Sequence, residues 1–138
     1  MGCGNLASMQ VAAMRVARPT RDLSRIRRFY EVAVGLAVIW TFNDHDGFDG
    51  VIFGSPEARW QLEIVSTPHE IKPRPTIEDA LVLYLADVSE ISLVTQRLRA
   101  EETAEVSAND PELNPYWPRN GALTFVDPDG YRLIISPE

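Results

Sequence analysis

The sequence predicts an α+β fold made of two paired βαβββ modules, and three observations support this. First, Asp22-Leu23-Ser24-Arg25-Ile26 recurs in the second half of the chain as Asp87-Val88-Ser89-Glu90-Ile91. Second, the stretch from Gly50-Val51-Ile52-Phe53 to Trp60-Gln61-Leu62-Glu63-Ile64 recurs from Gly121-Ala122-Leu123-Thr124 to Tyr131-Arg132-Leu133-Ile134-Ile135. Third, each copy passes from a short strand pattern to a helix pattern and then to three strand patterns with turn residues between them. A module of this size cannot bury its own sheet face, so two copies must pack together. The expectation is a curved mixed sheet with helices on its convex face and a cup on the other.

In the first copy, residues 12–17 read as a strand ended by Arg18-Pro19-Thr20. Asp22 has the chemistry of an N-cap, because its carboxylate can accept from backbone N–H groups in the first helical turn. Leu23, Ile26, Phe29, Tyr30 and Val34 follow at helical spacing, and Gly35 fits the left-handed position just past a helix end. Strands are expected at 38–42, 50–54 and 59–66, separated by Asn43-Asp44-His45-Asp46-Gly47 and Ser55-Pro56-Glu57-Ala58. The second copy repeats this order. A strand is expected at 80–86, a helix at 87–101 with Ile91, Val94 and Leu98 on one side, then strands near Glu105, at 121–126 and at 131–136. Asp127-Pro128-Asp129-Gly130 is a strong signal for a turn between two strands.

The expected organisation is a disordered tail over residues 1–10 and one domain over 11–138. Within the domain, module one covers 12–66, a proline-containing linker 67–78, and module two 79–137. A chain of 138 residues is long enough to bury a real core. Its net charge of −7 argues against nucleic acid, which requires a basic face to neutralise phosphates. The single cysteine, Cys3, excludes an intramolecular disulfide and fits a reducing cytoplasm. No stretch approaches the roughly 18 apolar residues of a membrane helix. Leu6 stands where a myristoylation motif needs Ser or Thr, and no basic segment leads into an apolar core as in a secretory signal. A soluble cytoplasmic protein is therefore expected.

The arrangement resembles the vicinal oxygen chelate superfamily, which includes glyoxalase I, bleomycin-resistance proteins and extradiol dioxygenases. The resemblance rests on Arg15-Val16-Ala17-Arg18-Pro19-Thr20-Arg21-Asp22-Leu23, Phe29-Tyr30, Gly35-Leu36, Leu62-Glu63, Asp87-Val88 and Phe125-Val126-Asp127-Pro128-Asp129-Gly130-Tyr131-Arg132, and it spans residues 12–136. Small uncharacterised bacterial glyoxalase-like members are the most similar in pattern, sharing Asp49-Gly50-Val51-Ile52-Phe53-Gly54 and Asn114-Pro115-Tyr116-Trp117. The resemblance implies the glyoxalase/bleomycin resistance/dioxygenase fold and a homodimer. In metal-using members it also implies ligands from the first and last strand of each module, meeting at the centre of the cup.

The internal repeat places those four positions at Arg15, Ala80, Glu63 and Ile134. Only Glu63 can ligate a divalent ion, Arg15 repels one, and Ala80 and Ile134 have no donor atoms. A catalytic metal site uses about three protein ligands, so no metal and no other cofactor is expected. Strand alternation sends Arg15 and Glu63 to the cup face, while Met14, Val16, Leu62 and Ile64 face the helices. An Arg15–Glu63 ion pair then has two readings. It is either a structural neutralisation of two buried charges or a ligand site, with Arg15 holding an anionic or carbonyl oxygen and Glu63 orienting the ligand or acting as a base. Tyr116 and Trp117, held between Pro115 and Pro118, form either a rim for stacking on a ring or a plug. Tyr84 and Arg132 reach the cup face by alternation. His45 and His69 read as exposed turn and linker histidines.

The functional expectation is a glyoxalase/bleomycin-resistance-like protein that binds a small organic ligand, aromatic or anionic, in the cup between the modules without the metal. Its residues would be Arg15, Glu63, Tyr84, Tyr116, Trp117 and Arg132. This favours a non-catalytic binding protein or a metal-independent enzyme over a lactoylglutathione lyase. The alternative is a metal-dependent lyase, isomerase or dioxygenase that uses Glu63 with ligands outside these positions.

Overall fold

The computed structural model describes residues 7–138 except Pro56 and Ala58. The tail expected at residues 1–10 therefore lies partly outside the described residues. Module one contains β1 (Met14–Pro19), α1 (Leu23–Arg28) running on into a π-helical turn (Phe29–Val34), β2 (Val38–His45), β3 (Phe48–Gly54) and β4 (Trp60–Ser66). Module two contains β5 (Ala80–Leu85), α2 (Val88–Ala100), β6 (Glu105–Val106), a single helical turn α3 (Tyr116–Arg119), β7 (Leu123–Val126) and β8 (Arg132–Pro137). The doubled βαβββ order is as expected, and only α3 falls in a segment expected to be a loop.

Local chemistry explains the helix boundaries. Asp22 Oδ1 accepts from Arg25 N at 3.1 Å, and Asp87 Oδ1 accepts from Ser89 N at 2.8 Å, so the repeated Asp caps both helices. Gly35 ends the first helix at φ +94, a conformation that costs glycine little. Its N–H donates to Tyr30 O, the wide turn of a π-helix. From α2, Arg97 donates Nε to Ala33 O and Nη2 to Val34 O, each at 3.0 Å. A residue of module two thus satisfies the last carbonyls of the module-one helix.

The strands form two four-stranded sheets in the orders β1-β4-β3-β2 and β5-β8-β7-β6, with no closure into a barrel. The expected mixed sheet is present as these two separate sheets. Their parallel pairs share one register. Arg15 lies opposite Gln61 and Ala17 opposite Glu63, while Ala80 lies opposite Arg132 and Val82 opposite Ile134. The correspondence of Arg15 with Ala80 and of Gln61 with Arg132, as the sequence repeat has it, maps one pair onto the other.

The third strands depart from this. Phe53 pairs with Leu62 and Phe125 with Leu133, so β3 maps onto β7 one position further along than the sequence repeat aligns them. The last paired residues are Gly54 with Gln61 in module one and Val126 with Arg132 in module two. The connection is one residue longer in module one, which is why the sequence repeat slips there. Phe125, not Thr124, is the counterpart of Phe53.

Both modules feed one core. Ile26, Phe29, Tyr30, Ala33 and Val34 pack with Val51, Phe53, Leu62 and Ile64 of the first sheet, and with Val94, Leu98, Phe125, Leu133 and Ile135 of the second half. The apolar alternation of β4 and β8 faces this helix layer, as expected. β1 differs. Met14 and Val16 share the core-side parity yet are 61% and 43% exposed, in keeping with the place of β1 at the sheet edge.

A buried polar cluster crosses the core. Tyr30 Oη donates to Asp127 Oδ2 at 2.6 Å, and Asp127 Oδ1 accepts from the N–H groups of Asp129 and Tyr131, each at 2.9 Å. Arg18 Nη1 is 4.0 Å from the same carboxylate, and its guanidinium lies 4.2 Å from the centroid of the Tyr131 ring. Burial raises the Tyr30 hydroxyl well above its ordinary value of 10.0, with the neighbouring Asp127 charge adding to it. The unfolded chain loses that proton near pH 10 while the folded protein keeps it, so this contribution is complete below about pH 10 and lost as pH rises further. Tyr30→Phe should therefore cost about 1.5–3 kcal/mol at neutral pH, the value of a hydrogen bond to a charged group. Its alkaline stability loss should also be shallower than wild type in chemical denaturation between pH 8 and 11. Equal slopes would remove Tyr30 as the group responsible.

Candidate functional site

The outer face of module one opens into a cleft of about 880 Å³ lined by Arg15, Ile39, Trp40, Thr41, Phe42, Asn43, His45, Ile52, Gln61 and Glu63. Its floor follows from strand register. Arg15 lies beside Gln61 across β1 and β4, and Glu63 lies opposite Ile52 across β4 and β3. Because Leu62 and Ile64 are buried in the core, Gln61 and Glu63 must face outward. Arg15 donates Nε to Gln61 Oε1 at 2.8 Å and Nη1 to Glu63 Oε1 at 3.1 Å. The side chains of Arg15 and Glu63 are 48% and 19% exposed, so the pair is a partly solvated cleft floor. It does not neutralise two fully buried charges.

The wall comes from β2. Trp40 and Phe42 alternate with Thr41, which places both rings on the outer face. Phe42 lies opposite Gly50, where its ring occupies the space a Cβ would need. Glycine at 50 thus makes room for the phenyl ring over the sheet. The His45 ring sits 6.4 Å from that of Phe42 at 74°, at the far end of the wall. Trp40 is 66% exposed, a large aromatic surface with no aromatic partner among the described residues. Trp40, Phe42 and Gln61 are not among the residues that sequence reasoning selects. Their signal lies in the alternation of β2 and in an aromatic residue facing a glycine, but it needs the hairpin register to be read.

The other four candidates are elsewhere. Tyr84 is on the edge strand β5, 57% exposed, and Arg132 is half-buried on β8. Tyr116 and Trp117 are on α3, with ring centroids 4.9 Å apart and planes at 84°. They form an edge-to-face pair. None of the four lines the Arg15 cleft.

In module two the equivalent outer-face residues of β7 and β8 are closed off. Ile134, Ser136 and Thr124 have outer-face parity but are 1%, 3% and 2% exposed, and α3 of the long β6–β7 segment packs against β7. The half-buried Trp117 and buried Leu113 belong to that same segment. The cup expected between the modules is therefore one open half-face on module one. The helices occupy the space where the modules meet.

The four positions at which metal-using members of the superfamily place ligands do not suit a divalent ion here. The one carboxylate, Glu63, is held 3.1 Å from a guanidinium, and Ala80 and Ile134 carry no donor.

Two adjoining matches account for nearly the whole domain: residues 14–65 match the YycE-like N-terminal domain family, and residues 78–136 the YycE-like C-terminal domain family. The chain is 40% identical over 132 residues to the uncharacterised protein YycE of Bacillus subtilis (strain 168), covering 94% of this chain and 90% of that one. The crystal structure of a YycE protein of unknown function from Bacillus subtilis superposes with a TM-score of 0.80 at 36% identity, covering 95% and 93% of the two chains. Glyoxalase I of Leishmania major shares the fold at a TM-score of 0.66 and 18% identity, over 95% of this chain and 88% of that one. With matches on both halves and a relative alike along almost its full length, the chain belongs to the YycE-like family and has the vicinal oxygen chelate fold.

Proposed function

We propose that this protein binds a small organic molecule, aromatic or anionic in character, in the open cleft of module one, and does so without a metal or other cofactor. The observation behind this is the pairing of a positioned guanidinium with an uncovered aromatic wall: Arg15 is fixed by Gln61 and Glu63, beside Trp40 and Phe42. A concave, largely apolar surface with a few converging polar groups is the usual form of a ligand site. Trp40 and Phe42 would stack on the ligand, and Arg15 would hold an oxygen on it. Catalysis is not needed for this role. Binding and sequestration account for the side chains present.

A homodimer is part of the proposal. Met14, Val16 and Trp60 leave exposed apolar surface along β1 and β4 of module one, which a second copy can cover. Tyr84, Tyr116, Trp117 and Arg132 would contribute to the site only if that copy laid its own module two over the cleft. No described helix is long and apolar enough to cross a membrane.

The test is thermal denaturation of the purified protein against a panel of small aromatic acids and uncharged drugs. A binder at 100 times its Kd should stabilise the native state by about 2.7 kcal/mol. Arg15→Ala should abolish that shift and leave the unliganded melting temperature nearly unchanged, since an exposed ion pair contributes only about 0–1 kcal/mol. Normal binding by Arg15→Ala would place the ligand elsewhere. Near-stoichiometric nickel, zinc, iron or manganese in the purified protein would overturn the metal-free reading.

A further inference from the structure

The floor of the cleft carries a more specific message about its ligand. Arg15 and Glu63 are 3.1 Å apart, so the positive charge that would attract an anion is already compensated within the site. Gln61 accepts from Arg15 through Oε1, which fixes its amide orientation and turns Nε2 away from the guanidinium. Among the described residues, Arg15 Nη2, Gln61 Nε2 and Glu63 Oε2 make no hydrogen bond. The floor therefore offers two donors and one acceptor next to each other, with no net charge. Beside them stand Trp40, Phe42 and Ile52.

An incoming carboxylate would gain Arg15 but would face the Glu63 carboxylate across the same cleft, and like charges brought together count strongly against a partner. An incoming cation would meet the reverse conflict with Arg15. A neutral group carrying an acceptor beside a donor satisfies both edges at once. We propose that the cleft selects uncharged planar aromatic ligands with an amide-like pair, C=O toward Arg15 and Gln61 and N–H toward Glu63, in preference to the matching carboxylates. This rests on the cleft being the ligand site, and it narrows that reading to one side of its two chemistries.

Three probes of nearly equal shape separate the possibilities: 2-naphthamide, 2-naphthoate and 2-naphthamidine, titrated calorimetrically into the full-length protein at pH 8. The amide should bind about tenfold tighter than the carboxylate. Glu63→Gln should reverse that order, because Arg15 then has no compensating charge. Far-ultraviolet circular dichroism of the variant checks that it is folded. Tighter binding of the carboxylate or the amidinium to the wild type would overturn the selectivity while leaving the cleft as a ligand site. So would an order unchanged in Glu63→Gln. No binding by any of the three, at concentrations up to their solubility, would remove both the selectivity and the cleft.

Discussion

Asp127→Ala is expected to destabilise the protein by about 3–5 kcal/mol, the range seen when one partner is removed from a buried charged network. The loss has several sources. The substitution leaves the buried Tyr30 hydroxyl and the part-buried N–H groups of Asp129 and Tyr131 without their acceptor, and it removes the carboxylate 4.0 Å from the Arg18 guanidinium. Each buried donor left unpaired costs more than the hydrogen bond itself contributes. The cluster also joins the modules: Tyr30 and Arg18 come from module one, Asp127 and Tyr131 from module two. In urea, Asp127→Ala should unfold at a clearly lower midpoint, and a change within about 1 kcal/mol would mean the cluster is incidental.

The pH dependence has a definite sign. Burial raises the Asp127 carboxyl above its ordinary 3.8, outweighing the hydrogen bonds from Tyr30, Tyr131 and Asp129 that lower it. The folded state therefore holds this proton to a higher pH than the unfolded state does. Stability from this group is complete below about 3.8 and declines as pH rises through the folded value. Asp127→Asn, which cannot titrate, should lack that component. Its stability difference from wild type should change as pH rises above about 4, in the direction that favours wild type at the lower pH.

Phe125→Ala should cost about 3–5 kcal/mol, and Thr124→Val should be neutral or stabilising. Phe125 is fully buried in the shared core, as is its counterpart Phe53, and truncating either leaves a cavity against Tyr30, Leu62 or Leu133. Thr124 is also buried, but its Oγ1 has no partner among the described residues, so replacing the hydroxyl by a methyl removes a desolvation penalty. The two substitutions together test the strand register. If the offset that aligns Gly50 with Gly121 held through β7, Thr124 would occupy the core position of Phe53 and the order of effects would invert. Denaturant midpoints of the two variants decide between the registers.

Much of the fold is legible in the sequence because its signals are local. Capping aspartates, a left-handed glycine, helical spacing from Leu23 to Val34 and the Asp-Pro-Asp-Gly turn each act within a few residues, and each is present in the structure. The repeat is legible too, except at β3 and β7, where a one-residue difference in turn length moves the register by one position. The candidate site is half legible. Arg15 and Glu63 meet, because strand parity places them on one face of adjacent strands. Tyr84, Tyr116, Trp117 and Arg132 share that parity or a plausible loop, but parity says only which face a side chain takes. It says nothing about what lies above that face.

The order of amino acids is thus enough for the doubled βαβββ arrangement and for the family's scaffold. Three further features belong to the tertiary structure alone. The helices fill the space between two separate sheets, and the outer-face residues Thr124, Ile134 and Ser136 of module two are buried. Module one is left with an open cleft walled by Trp40 and Phe42. The distinction is one of range. Strand and helix patterns record which side of an element is apolar, whereas the layer that covers each side is chosen by contacts between segments far apart in the chain. Burying Ile134 and leaving Trp40 bare are equally compatible with the same alternation.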